Sequence, residues 1–337
     1  MTQLYPLLMT PAFDPRPWGT LDLSAIYPNH KFNERIGEAW LTGDNCVVAN
    51  GPLAKRSLGD LSKEFGSELV GTAARDPRRF PLLLKFLFPE EKLSVQVHPD
   101  DETARRFGEP WGKTECWYVA HAKPGSQIAL GLKPGVTRAQ FEQAIHEKSA
   151  EQLLNWVNIY QGEMIYMAAG TVHTIGPGAV LLETQQQSDT TYRLYDYGRP
   201  RPLHLERGLA SVKERTASGK VIRPAPVAMD GGKNRRSSMI AAPYFAVELF
   251  ELRAPHDFSM TEFERNDSGK TSAQILVAIE GCGVVEAQGR DPVTFAKSDA
   301  VVIPAALQGF TVRPQWQLEF LKACVPSGTV PEPATRM

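Results

Sequence analysis

Four side chains able to bind a divalent cation stand beside short apolar runs in this sequence. They are Gln96 and His98 in LSVQVHPDD, Glu115 in GKTECWYV, and His173 in AGTVHTIG. In an extended strand, side chains two apart share a face, so Ser94, Gln96 and His98 point one way and Val95 and Val97 the other. Such a polar face borders either solvent or a polar cavity, and the neighbouring apolar run LLLKFLF favours the cavity. Imidazole is a common zinc ligand and an amide oxygen an unusual one, so Gln-x-His alone is weak and an exposed strand face is its plain alternative. Adding Glu115 and His173 gives a mixed nitrogen and oxygen set with room for water or substrate, as catalysis at a metal requires.

Other charged groups surround this set. Lys113 precedes Glu115 by two positions and shares its face if the segment is extended, as an anion clamp or a proton-transfer group. Glu183 and Arg193 flank a Ser-Asp-Thr turn signal; a hairpin there brings both to one cavity, with a surface ion pair as the alternative. Glutamate suits proton abstraction and arginine a developing oxyanion. Lys85 interrupts LLLKFLF, and its ammonium must reach water or an anion, for which a phosphate would serve. His30, His121, His146, His204 and His256 have no comparable setting and read as surface or structural.

The elements that must hold these residues are mostly strands. From Phe80 to Leu132 the runs PLLLKFLF, LSVQVHP, ECWYVAHA and QIALGL are short and bounded by Pro, Gly, Asp or Glu. A helical interlude is expected over about 137–157, with Thr137 as N-cap, and further helices at LGDLSKEFGSELVG and LHLERGLASVKE. EMIYMAAGTVHTI, AVLLETQQQ and TTYRLYDYG restore strand signals. The polar stretch from Glu214 to Ser238 reads as a linker, after which YFAVELFELRA, AQILVAIEGCGVVEA, PVTFAKSDAVVIPAA and WQLEFLKACV are again strand-like before a frayed tail. A faint repeat aligns GEMIYMAAGTVH with SDAVVIPAALQG at an offset of 136, with His173 matched by Gly309.

Composition narrows the function classes. With 37 Lys+Arg against 38 Asp+Glu the net charge is −1, which excludes general affinity for nucleic acid or anionic membranes. The length of 337 residues suggests two domains. Cys46, Cys116, Cys282 and Cys324 form no CxxC pair, which fits a reducing, cytoplasmic setting. The N-terminus shows neither a basic region nor an apolar core of an export signal, and no run suits a membrane helix.

Taken in order, these residues resemble the type I mannose-6-phosphate isomerases. GEAW, FPLLLKFLFPEEKLSVQVHPDD, GKTECWYV, AGTVHTIGPG and YRLYDYGR with LHLE carry the resemblance, over much of the N-terminal two thirds. It implies a mainly β chain of two cupin-type (jelly-roll) barrels with a few peripheral helices: a metal-binding domain over 1–235 and a metal-free one over 236–337. It also implies one zinc ion on Gln96, His98, Glu115 and His173, the substrate phosphate on Lys85 and Ser94, and Lys113, Glu183 and Arg193 around the reacting end of a phosphosugar. The implied reaction moves a proton between C2 and C1 through a cis-enediol, with the carbon base open between Glu183 and Lys113. An iron-dependent cupin oxidoreductase and a silent sugar-phosphate binder are the rival classes. The first leaves Lys85 and Ser94 without a purpose, and the second would be expected to lose Glu115 or Arg193. Only 58 positions separate Glu115 from His173, which matches the compact bacterial form, and Ala168 stands where cupins place proline. A monomer or weak homo-oligomer is expected, with no nucleic-acid or membrane partner.

Overall fold

The computed structural model describes residues 3–259, 269–307 and 309–337. Gln308, part of the second copy of the repeat, lies outside them. Among the described residues the chain is mainly β, in sheets of eight, five and ten strands.

The eight-stranded sheet runs Ala12–Thr20, Ile36–Trp40, Leu82–Leu87, Ala179–Gln186, Glu115–Ala122, Met164–Met167, Gly219–Val221 and Thr335–Arg336. It is covered on both faces. Leu84, Phe86, Tyr118 and Leu182 share an apolar cluster with Val247, Ile275, Val302 and Leu321 of the ten-stranded sheet. Leu87, Trp117, Val119 and Leu181 pack instead with Ile128, Leu130 and Ile175 of the five-stranded sheet. Double coverage is why LLLKFLF is almost continuously apolar rather than alternating. Lys85 points to the same side as Leu87, into the space between the eight- and five-stranded sheets.

The five-stranded sheet runs Tyr192–Tyr195, Val95–Val97, His173–Ile175, Gln127–Leu132 and Leu154–Asn158. Its last strand corrects the expected helix over 137–157. A helix does form at Arg138–His146, with a Thr137/Gln140 capping box, but a 3-10 turn at Ala150–Leu153 follows and Leu154–Asn158 pairs with Gln127–Leu132. Leu154 and Val157 fit the helical spacing by coincidence, and tertiary pairing decides their conformation. The expected linker is likewise ordered: Gly219–Val221, Val227–Met229 and the start of Asn234–Ala241 are strands. The last two read as polar because this edge of the ten-stranded sheet is open to solvent, with Val227 53% exposed. The tail is pinned by pairing of Thr335–Arg336 with Gly219–Val221.

The repeat is structural. Met164–Met167 and His173–Ile175 have counterparts in Ala300–Ile303 and Gly309–Cys324, whose first residues are displaced by the same 136 positions (164 to 300, 173 to 309). Glu115 pairs with Met167 as Gln274 pairs with Ile303, so Gln274 and Gly309 occupy the places of Glu115 and His173. Leu7–Thr10 crosses over to pair with Ala300–Ile303, just as Gly219–Val221 pairs with Met164–Met167. The chain ends are therefore exchanged between the two halves. No helix among the described residues is long and apolar enough to cross a membrane.

Candidate metal centre and active site

Strand register builds the site from two facing rows. In the eight-stranded sheet, Trp40, Lys85, Glu183 and Trp117 are successive cross-strand neighbours. In the five-stranded sheet, Arg193, Gln96 and His173 are. Glu115 stands two residues before Trp117 on the same face, and His98 ends the run that carries Gln96.

Across the gap His98, Glu115 and His173 converge, one ligand atom of each lying within 4.8 Å of the others, and all three are buried. His98 Nδ1 lies 2.9 Å from the Thr190 carbonyl and His173 Nδ1 2.9 Å from the Thr171 carbonyl. Donation to those carbonyls leaves both Nε2 lone pairs facing the gap. The two Nε2 atoms are 3.4 and 3.5 Å from Glu115 oxygens. Burial pushes both histidines down, His98 to about 4 with Lys113 adding to it. Burial works to raise Glu115, but Lys113 and the imidazoles hold it well below the usual carboxylate range. Neither Glu115 oxygen accepts a hydrogen bond of good geometry, although Lys113 Nζ is 2.9 Å from Oε2. A buried carboxylate whose oxygens accept no hydrogen bond of good geometry, facing two imidazole lone pairs, is the donor set a divalent cation takes. Gln96 borders it, its Nε2 3.2 Å from His173 Nε2 and its Oε1 accepting from Ser94 Oγ at 3.1 Å.

Beside this cluster lies a cavity of about 390 Å³, lined by Lys85, Ser94, Gln96, Lys113, Glu183 and Arg193 together with residues that sequence reasoning missed. Lys85, 3% exposed, is paired within the chain, with Nζ 3.3 Å from Glu38 Oε2 and 3.5 Å from Glu183 Oε1. Burial opposes its charge, yet these carboxylates raise its pKa. The anion that its burial demands is thus already supplied, by Glu38 of the GEAW run, itself held at about 2 by Lys85 and Arg16 against the effect of burial. Lys113 bridges Glu115 and Glu183, with 3.3 Å to the latter. Trp117 Nε1 donates to Glu183 Oε2 at 2.9 Å, which leaves Oε1 without a hydrogen bond.

Glu183 and Arg193 reach this cavity without the expected hairpin. Their strands belong to different sheets, and residues 187–191 cross from one to the other. Arg193 Nη1 donates to the Pro202 carbonyl at 2.9 Å, while Arg201 is clamped on Asp196 by two 2.7 Å bonds. Burial and then Arg201 lower the Arg193 pKa. Arg16 lies at the same rim, bound to Asp14 and Glu38. Arg16 sits in PRPWG and Arg201 in GRPRPLH, where spacing offers no signal. Ala168 serves its turn better than proline would, because its N–H donates to Ser218 Oγ at 2.8 Å.

Residues 19–111 match the family model of the phosphomannose isomerase type I catalytic domain. The chain is 38% identical over 223 residues to the mannose-6-phosphate isomerase ManA of Bacillus subtilis, covering 62% of this chain and 68% of that protein. Its fold superposes on a crystal structure of the Bacillus subtilis mannose 6-phosphate isomerase with a TM-score of 0.82 at 28% identity, over 94% of this chain and 99% of the other. A zinc-bound mannose 6-phosphate isomerase matches with a TM-score of 0.72 at 16% identity, over 94% of this chain and 98% of that one, a likeness of fold.

Proposed function

This chain belongs to the mannose-6-phosphate isomerase family, and from that membership we propose how its residues divide the aldose-ketose isomerisation of mannose 6-phosphate and fructose 6-phosphate. The observation that carries the reading is the meeting of His98, Glu115 and His173 beside a cavity floored by Lys113, Glu183 and Lys85.

The Glu115 carboxylate and the two imidazole lone pairs fit a zinc ion, and Gln96 would join them as an oxygen donor once its amide is turned over. Zinc held by these residues would supply polarisation of the substrate oxygens next to the carbon acid or orientation of the sugar. The chain's own groups carry the protons. Glu183 Oε1 takes the proton from C2 of the open-chain aldose and returns it to C1, while Trp117 keeps Oε2 fixed. The same cycle moves the hydroxyl proton from O2 to O1, leaving a ketone at C2. Lys113, next to Glu183, and Arg193 hold the oxyanion charge of the enediolate between these transfers.

The phosphate belongs at the Lys85 and Ser94 end of the cavity. Because Glu38 and Glu183 already neutralise Lys85, we give the rim arginines Arg16, Arg193 and Arg201 a share of its charge. We keep the division at 235/236 for the two halves, one zinc per chain, a monomer or weak homo-oligomer, and a cytoplasmic setting, the last supported by a sequence whose four cysteines form no CxxC pair.

The test is conversion of mannose 6-phosphate to fructose 6-phosphate by the purified chain, before and after chelation, with zinc and other divalent ions restored separately. Turnover lost to chelator and regained with zinc supports the assignment. Absence of turnover in every metal form, or activity untouched by chelation, rejects it.

A further inference from the structure

Lys113 and Glu115 lie at the end of a segment that no sheet holds. Residues 111–114 are outside any strand, and the ladder begins only at Glu115. Their backbone donors are nevertheless bonded one by one. Gly112 N donates to Asp101 Oδ1 at 2.9 Å, Lys113 N to the Pro99 carbonyl at 2.9 Å, and Thr114 N to Gln186 Oε1 at 2.8 Å. The Gln186 side chain is itself oriented by donating from Nε2 to Asp101 Oδ1 at 3.2 Å. Two of the three bonds therefore depend on one carboxylate. The packing leaves no slack, since a Cβ added at Gly112 would lie 2.6 Å from Asp101 N.

The other oxygen of that carboxylate faces the second half of the chain. Tyr244 OH donates to Asp101 Oδ2 at 3.1 Å, and Arg75 Nη1, whose guanidinium lies over the Trp111 ring at 4.4 Å, donates to the same oxygen at 2.9 Å. Asp101 follows His98 by three residues and opens the helix Asp101–Arg106. A single side chain thus joins the run carrying His98, the segment carrying Lys113 and Glu115, the strand carrying Glu183, and the C-terminal half. Burial and Asp101 keep the Tyr244 hydroxyl protonated, as a donor must be.

We propose that Asp101 and Tyr244 are positioning residues through which the C-terminal half holds the Gly112–Glu115 segment, and with it Lys113 and Glu115, in register with the metal and substrate site. The functional consequence rests on the roles proposed above for Lys113 and Glu115; the structural consequence does not. The two residues act as a unit, so their effects are not additive.

Tyr244→Phe removes one hydroxyl and keeps the ring. Two measurements on the full-length chain test the proposal: amide hydrogen exchange of the peptide spanning residues 109–116, and kcat and KM for mannose 6-phosphate. The expected result is faster exchange at Gly112 and Thr114, with kcat reduced about fivefold or more and KM within about twofold. Asp101→Asn is expected to lose more, and the double variant no more than Asp101→Asn alone. Unchanged exchange in Tyr244→Phe, or faster exchange with unchanged kcat, overturns the proposal. If the wild-type chain shows no turnover, the isomerase reading fails by itself. Exchange then decides the positioning claim, which fails if Tyr244→Phe leaves it unchanged.

Discussion

Lys85 and Glu183 are direct cross-strand partners, and their charged ends meet 3.5 Å apart on a sheet face that also carries Leu87, Trp117, Val119 and Leu181. An ammonium on such a face is stable only when paired, and the pairing orients the carboxylate that faces the cavity. Trp117 completes the restraint from the neighbouring strand.

Glu183→Gln keeps the shape and the acceptor for Trp117 but removes the proposed base. We expect kcat to fall by roughly 10²–10⁴, the usual worth of a general base, with KM within a few-fold. Steady-state kinetics settles this; a loss under tenfold would shift the role to Lys113.

His173→Ala removes a buried imidazole of the proposed zinc site and leaves Glu115 without one of its opposing groups. Zinc affinity should drop by at least about 100-fold, more than removal of an outer-shell partner costs. Metal content after dialysis and competition with a coloured chelator measure it. Retention of a full zinc equivalent would place the ion elsewhere.

Arg16→Ala and Arg201→Ala test the rim. Each should raise KM for the phosphosugar about tenfold while altering kcat little, because the contact is with the end of the substrate that does not react. Free mannose, as a weak competitor, should bind both variants as it binds the wild type. An equal loss for mannose would mean that the arginines shape the cavity rather than read the phosphate.

Glu38 predicts an acid limb in stability. Its folded pKa of about 2 lies below its ordinary 4.5, so its contribution is complete above about 4.5 and is lost as pH falls toward 2. The 2.5-unit difference corresponds to roughly 3 kcal/mol. Urea unfolding of wild type and Glu38→Gln should therefore differ most near pH 5 and converge toward pH 2.5. A gap that does not narrow over this range would show that Glu38 is not the group responsible.

The runs that carry the candidate ligands were legible because each is local. LSVQVHPDD and GKTECWYV place their polar residues at strand spacing, and the apolar run around Lys85 announces a charge that must be paired. What pairs it was not legible, because Glu38 lies 47 positions away on a strand that becomes a neighbour only when the sheet forms. The overextended helix failed for the same reason. Leu154 and Val157 satisfy a helical period, and only the edge of Gln127–Leu132 makes them a strand.

The sequence by itself determined the class of chemistry, the four candidate ligands, the mainly β architecture and the 136-residue repeat, since side-chain identity and short-range alternation are properties of the linear chain. Tertiary structure alone decided that Glu183 and Arg193 line one cavity from different sheets, that the chain ends are exchanged between the halves, and that Tyr244 reaches Asp101. The pairings of the chain ends and the Tyr244–Asp101 bond join residues more than 100 positions apart, and only the assembly of the sheets brings such residues together.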